Sequence, residues 1–136
     1  MNRRSFLTVS AVLLAIPKIL LAREGSTEYT PGLIQEKLAA GETVFVDYAA
    51  TWCSTCKRQE RIVNELRASN SAYDENISFV TVDWDKFGRH EVATSRKVPR
   101  RSTLILLRGD SELGRIVAGT NSGQIKALLD LALTAS

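Results

Sequence analysis

The 136 residues, 44% of them apolar, suffice to bury the core of one ordinary α/β domain and are too few for two. The formal net charge of +3 belongs to the first 23 residues, where Arg3, Arg4, Lys18 and Arg23 are accompanied by no acid; the rest of the chain stands at −1. The basic balance therefore argues for no nucleic-acid partner, and the lack of internal repeats or low-complexity tracts excludes a repeat array.

The opening run "MNRRSFLTVSAVLLAIPKILLAREG" passes from a basic tip through an apolar stretch, Phe6 to Ile16, to a Pro17-Lys18 break and a short Ile19 to Ala22 segment. That is the layout of an export signal. About a dozen apolar residues fall short of the roughly 20 that a helix needs to cross a bilayer core, so a cleaved signal is expected in place of a spanning helix. Arg3-Arg4-Ser5-Phe6-Leu7 resembles a twin-arginine signal, and Lys18 fits that class, while Asn2 and Thr8 depart from its pattern. An ordinary secretory signal is the other reading, and either sends the chain out of a bacterial cytoplasm. Ala22 suits the last position before cleavage, but Leu20 is larger than the A-x-A pattern prefers, which keeps an uncleaved membrane tether open. The expected division is an export signal over 1–23 and one domain over 24–136, located in the periplasm.

Thr30 as N-cap, Pro31 in the first turn, Leu33, Ile34 and Leu38 on one face and Gly41 at the end predict a helix. "TVFVDYA", Thr43 to Ala49, reads as a buried strand rich in β-branched and aromatic residues. Ile62, Val63 and Leu66 recur at helical spacing among polar neighbours, which predicts an amphipathic helix starting at or beside Cys53. "SNSAYDEN" reads as a polar loop and "ISFVTVDWD" as a second strand, with Trp84 structural at its end. Phe87 to Lys97 is a short helical stretch closed by Val98-Pro99, because proline disfavours helical geometry in the residue before it. Two apolar runs joined by Gly109-Asp110-Ser111 predict a hairpin, and a last helix directs Ile125, Leu128, Leu129 and Leu131 or Ala132 inward. The order α, β, α, β, α, β, β, α makes an α/β domain.

Both cysteines of the chain lie in "TWCSTCKRQE", with two residues between them. A thiol attacks a disulfide only as thiolate and is mostly protonated at neutral pH, so a redox cysteine needs surroundings that favour negative charge. A helix starting at Cys53 would aim its free amides and positive dipole end at that sulfur, with Cys56 about one turn deeper on the same side. Cys53 is then the exposed nucleophile and Cys56 the resolving thiol, held ready to attack a mixed disulfide. Other readings stand beside this one. A structural disulfide would close a loop too small to restrain the unfolded chain much. Zinc would need ligands beyond the two cysteines and His90, and copper could be carried by Cys53, Cys56 and His90. His90 itself reads as a surface helix residue.

From Pro31 to Leu133 the sequence resembles the thioredoxin family. "VFVDYAATWCSTCK" resembles that family's strand-to-active-site segment, with Asp47 six positions before Cys53, Trp52 directly before it and Lys57 after Cys56. "KVP", Lys97 to Pro99, resembles the segment with the family's cis-proline, and "GRIVAGTNSGQIKALLDLAL" resembles the last strand, the glycine of the substrate groove at Gly119, and the final helix. The resemblance implies a thioredoxin fold: a single domain with a central mixed β-sheet flanked by helices. It also implies that cis-Pro99 sets the Val98 backbone opposite Cys53 to pair with a substrate segment. Asp47 would lie buried beneath the cysteines as a proton carrier for Cys56 through water, with a hydrogen-bonded structural residue as the other reading. Trp52 would shield the site and touch partners, or pack in the core. Ser54 and Thr55 replace the Gly-Pro of cytoplasmic thioredoxin and, with Lys57, are expected to tune a potential of this chain's own.

Two departures stand out: Thr81 occupies the place where many members have a lysine, and Arg100, Arg101 and Ser102 intervene between the proline and the threonine that commonly follows it. The arginines are expected to bear on the Cys53 thiolate or steer an acidic partner, with an idle solvated loop as the alternative. The family's first strand is not evident before Thr30. The expected activity is protein-disulfide reduction by a periplasmic thiol:disulfide oxidoreductase, needing no cofactor or metal beyond the Cys53-Cys56 redox pair. A reductase is favoured over an oxidase because no inserted helical domain is evident. Expected partners are client proteins with thiols or disulfides and a membrane electron donor, the protein acting as a monomer. The alternative is a non-enzymatic module that holds a partner or copper.

Overall fold

The computed structural model describes residues 25–134, so the predicted export signal lies outside the described residues. A two-residue strand β1 (Thr27–Glu28) is followed by α1 (Leu33–Ala39), β2 (Thr43–Ala49) and α2 (Ser54–Ser69). Then come α3 (Ser71–Asn76), β3 (Ser78–Asp83), α4 (Trp84–Phe87) and α5 (Glu91–Thr94), and the chain ends in β4 (Thr103–Arg108), β5 (Ser111–Val117) and α6 (Ser122–Thr134). The five strands form one sheet in the order β1-β3-β2-β4-β5. β2 runs parallel to β3 and antiparallel to β4, which makes the sheet mixed.

Side chains alternate across β2, and helices cover both faces. Val44, Val46 and Tyr48 join Val80, Val82, Ile105 and Leu107 on one face, under Ile34, Phe87 and Val92 of α1, α4 and α5. Phe45, Phe79, Leu104 and Leu106 point the other way, onto Val63 of α2, Tyr73 of α3 and Ile125, Leu128 and Leu129 of α6. Fully burying each such aliphatic or aromatic side chain contributes about 1.5–3 kcal/mol. The predicted α/β architecture, a single domain with a mixed sheet between helices, is the observed one. In α6, Ala132 is the inward residue and Leu131 stays 39% exposed.

The differences from the sequence reading are local and have physical causes. The polar stretch read as a loop is α3: Asn70 Oδ1 accepts the Ala72 amide at 3.0 Å as an N-cap. Tyr73 is 1% exposed, and its hydroxyl donates to Asp130 of α6. Two adjacent apolar residues, Ala72 and Tyr73, in eight leave no periodicity to read, and α3 is fixed by distant contacts, Tyr73 with Asp130 of α6 and Asp74 with Arg67 of α2. Tyr73→Phe is expected to lower stability by about 1 kcal/mol through loss of that bond, measurable as a lower urea midpoint at unchanged m-value. Helix α1 is capped by Gly32 at φ 90° in place of Thr30, a left-handed conformation that glycine takes at little cost. The stretch from Phe87 to Lys97 is divided, since Asp83 caps α4 and the His90 ring nitrogen Nδ1 caps α5. The first strand does exist, but Thr27 and Glu28 pair only with Val80 and Thr81, too few residues to show a pattern.

Candidate active site

The chain leaves β2 through a turn in which the Cys53 amide donates to the Ala50 carbonyl at 3.1 Å. Cys53 then becomes the N-cap of α2, its Sγ accepting the Cys56 amide at 3.2 Å. Ser and Asp cap helices through oxygen; here sulfur takes that place, so the free amides and positive end of a 16-residue helix face it. The cysteines are not joined in a disulfide, and both are buried, at 3% and 2% exposure; the expectation of an exposed Cys53 is thereby corrected, because Trp84 and the loop carrying Ser102 pack against it. The Ser102 hydroxyl lies 3.2 Å from Cys53 Sγ and 3.1 Å from Cys56 Sγ.

This arrangement separates the two thiols. Burial opposes ionisation of Cys53, but hydrogen bonds from the Cys56 side chain, the Ser102 hydroxyl, the Cys56 amide and Arg101 outweigh it and bring its pKa down to about 7. Burial, and the hydrogen bond it gives to Cys53, push the Cys56 thiol up. One sulfur is ready to attack at neutral pH and its neighbour keeps its proton.

Ser102 is buried at φ 63°, an unusual conformation for a residue other than glycine. Its amide donates to the Tyr48 carbonyl at 2.8 Å, and its carbonyl accepts the Ala118 amide at 2.8 Å and Gln59 Nε2 at 3.0 Å. Gln59, fully buried on α2, also donates to the Gly119 carbonyl at 2.9 Å, so one side chain ties the predicted groove glycine to the loop at the sulfurs. A Cβ on Gly119 would lie 2.7 Å from Ile116 Cγ2.

The cis-proline expectation is corrected. Among the described residues no peptide bond is cis, Pro99 is exposed, and Val98 packs against the core beneath α1, α4 and α5 with its amide on the Ala93 carbonyl at 3.0 Å. The cause is chain length: Arg100 and Arg101 carry the backbone onward from Pro99, so Ser102, directly before β4, reaches the cysteines. Counting back from the threonine that opens β4, and not forward from the proline, would have found Ser102 in the sequence.

Trp52 is 58% exposed, which removes the core-packing reading. Its indole Nε1 donates to Asp85 Oδ2 at 2.9 Å, and Arg101 Cζ stacks 4.3 Å from the ring centroid, a cation–π contact that fixes the guanidinium beside Cys53. Arg100 turns aside, donating from Nε to the Arg101 carbonyl at 3.1 Å. Ser54 is exposed and Thr55 half-buried in the first turn of α2, and Lys57 is exposed with its amide on the Cys53 carbonyl at 3.1 Å. Trp84 packs beside the cysteines and meets Tyr48 edge-on.

Asp47 is buried in β2, paired in register with Thr81 and Leu104, and its Oδ1 has no hydrogen-bond partner. Burial first, then the charges of Glu60 and Cys53, raise its pKa to about 7. A cavity of about 520 Å³ opens beside Cys56, lined also by Lys57, Glu60, Thr81 and Asp83, and is wide enough for water. Among the described residues no group of three or more His, Cys, Asp or Glu could hold a metal ion, and His90 caps α5 with its ring against Tyr29 and Phe87.

The Thioredoxin family model matches residues 27–131, most of the chain and all of this site. The chain belongs to the thioredoxin family. It is 30% identical over 93 residues to thioredoxin H2-1 of rice, covering 68% of this chain and 62% of that one. It is 31% identical over 93 residues to mitochondrial thioredoxin-2 of Schizosaccharomyces pombe, covering 68% and 65%. The chain thus spans just under two thirds of each of these relatives. The solved structure of Trxlp from Edwardsiella tarda superposes with a TM-score of 0.64 at 30% identity, covering 76% of this chain and 98% of that one. Within the thioredoxin fold of this chain, the sequence reading missed Ser102, Gln59 and Asp85. Ser102 lies 46 positions beyond Cys56 and Asp85 lies 33 beyond Trp52, whereas Gln59 stands close by on α2 but acts through contacts with Ser102 and Gly119, 43 and 60 positions on.

Proposed function

We propose that this thioredoxin-family chain is an exported protein-disulfide reductase in which Cys53 attacks and Cys56 resolves. The observation that carries the reading is the pair of neighbouring sulfurs at the start of α2 with opposed acidities. The Cys53 thiolate attacks a client disulfide, forming a Cys53–client bond and expelling the other client sulfur as a thiolate, which takes a proton from solvent. Cys56 gives its proton to the Asp47 carboxylate through water and attacks Cys53, releasing the second client sulfur. Two electrons pass to the client, and the protein is left with a Cys53–Cys56 disulfide.

The reducing direction is supported by the moderate acidity of Cys53. Strong thiol oxidants hold their thiolate far lower, which stabilises their reduced form. In this reading a membrane donor returns the electrons, the protein works as a monomer, and the leader over residues 1–23 delivers it to the periplasm. Ser54, Thr55 and Lys57 set the potential, Trp52 and Gly119 meet the client, and no cofactor takes part.

The test is catalysis of test-protein disulfide reduction with a chemical dithiol as electron source, equilibration against glutathione buffers, and N-terminal sequencing of the protein recovered from the periplasm. Failure to accelerate reduction, together with a stoichiometric metal in the purified protein, would replace the reading with a holding module. Recovery from the cytoplasm alone would remove the exported part. Arg101→Ala is expected to move the pH midpoint of Cys53 alkylation from about 7 toward the ordinary thiol value of about 8.5. Arg100→Ala should leave it in place, because Arg100 turns to a backbone carbonyl.

A further inference from the structure

The Ser102 hydroxyl is almost equidistant from the two sulfurs, at 3.2 and 3.1 Å, yet it has a single proton to donate. The backbone of Ser102 is locked on three sides by Tyr48, Ala118 and Gln59, so the residue cannot follow either cysteine. With the backbone held, rotation of the O–H about the Cβ–Oγ bond is enough to turn the proton from one sulfur to the other. The reaction, meanwhile, needs a thiolate first on Cys53 and then on Cys56.

We propose that Ser102 is a positioning residue that hands one hydrogen bond from Cys53 to Cys56 as the reaction advances. The inference rests on the reductase reading above. In the free dithiol, the hydroxyl and the Cys56 S–H both donate to the Cys53 thiolate. Attack on a client disulfide converts Cys53 into a neutral mixed-disulfide sulfur, a poor acceptor. The hydroxyl then turns to Cys56 and stabilises the thiolate left when the Cys56 proton moves to Asp47. That thiolate attacks Cys53, the Cys53–Cys56 bond forms, and the client sulfur departs with the electron pair of the broken bond. No further oxidant or reductant enters. A proline at this place would have no hydroxyl, and the handover would be lost.

The charged and titratable groups around the pair are Asp47 on β2, Glu60 and Lys57 on α2, Arg101 in the loop before β4, and Glu28 and Asp83 across the cavity beside Cys56. Substitutions at Ser102 leave all of them in place, so a changed pH profile would belong to the hydroxyl.

The experiment loads Cys53 with thionitrobenzoate and follows release of the coloured thiol as Cys56 attacks, from pH 5 to 10, in the parent, Ser102→Gly and Ser102→Ala proteins. Glycine accepts the left-handed backbone without the hydroxyl, and alanine keeps the Cβ, so the pair separates backbone from hydrogen bond. Circular dichroism and thermal melting identify the variant that remains folded. Both variants are expected to release the thiol about tenfold more slowly at pH 7, the effect of losing a hydrogen bond to a charged group. The midpoint of the profile should move to higher pH, and the gap should narrow where Cys56 is ionised in every protein. A folded variant with the parent's rate and pH midpoint would overturn the handover while leaving the reductase reading intact. A parent whose Cys53 adduct is never resolved by Cys56 would overturn both.

Discussion

Cys53→Ser is expected to abolish disulfide reduction, with a loss on the order of a thousandfold or more, as when an enzyme loses its nucleophile. Hydrogen bonds from the Cys56 side chain, the Ser102 hydroxyl, the Cys56 amide at the helix start and Arg101 lower the pKa of the Cys53 thiol to about 7; a serine hydroxyl under the same influences stays protonated. Cys56→Ser has a different signature. The first attack still proceeds, but nothing resolves the product, so the variant should accumulate as a covalent mixed disulfide with its clients, visible on non-reducing gels and absent after reduction. The same trapped species would identify those clients. Retention of parental turnover by Cys53→Ser, or no adduct with Cys56→Ser, would contradict the mechanism.

Asp47→Asn is expected to stabilise the protein while slowing it. In the folded protein the Asp47 pKa is raised to about 7, chiefly by burial and further by Glu60 and Cys53, whereas in the unfolded chain it lies near 3.9. Between about pH 4 and 7 the folded state therefore holds a proton that the unfolded state has lost, so stability falls as pH rises through that window. Above pH 7 the full cost of a buried carboxylate is present. Replacing it with a neutral amide should raise stability by on the order of 2–4 kcal/mol at pH 8, and by little below pH 4. Urea denaturation of both proteins at the two pH values measures this directly. Resolution of the mixed disulfide should slow on the order of a hundredfold at neutral pH, the usual worth of a positioned proton acceptor. An Asp47→Asn protein with a parental stability profile would mean that the carboxyl is solvated after all.

These expectations draw unequally on what could be read along the chain. Asp47 was legible as an acid in an otherwise apolar strand, and a strand covered on both faces must bury what it carries. That its Oδ1 has no partner depends on Thr81 lying opposite in the β3 register, which only the paired sheet displays. Trp52 could be placed next to Cys53 from sequence, but its exposure follows from Arg101 and Asp85 holding the ring at the surface.

The regular elements and the cysteine pair needed only short-range information. The run of β-branched and aromatic residues along Thr43–Ala49, helical recurrence after Cys56 and the two-residue gap between the thiols are properties of neighbours, set by backbone geometry within a few residues. Pro99 matches the family motif but stands three residues before Ser102, which holds the position directly ahead of β4. The residue that reaches both sulfurs, Ser102, lies 46 positions beyond Cys56. Its place came from the pairing of β4 with β2, which leaves Ser102 bonded to Tyr48 and folds the loop back over the start of α2. Hydrogen bonds between distant segments depend on where the sheet brings the backbone, and no local pattern encodes that.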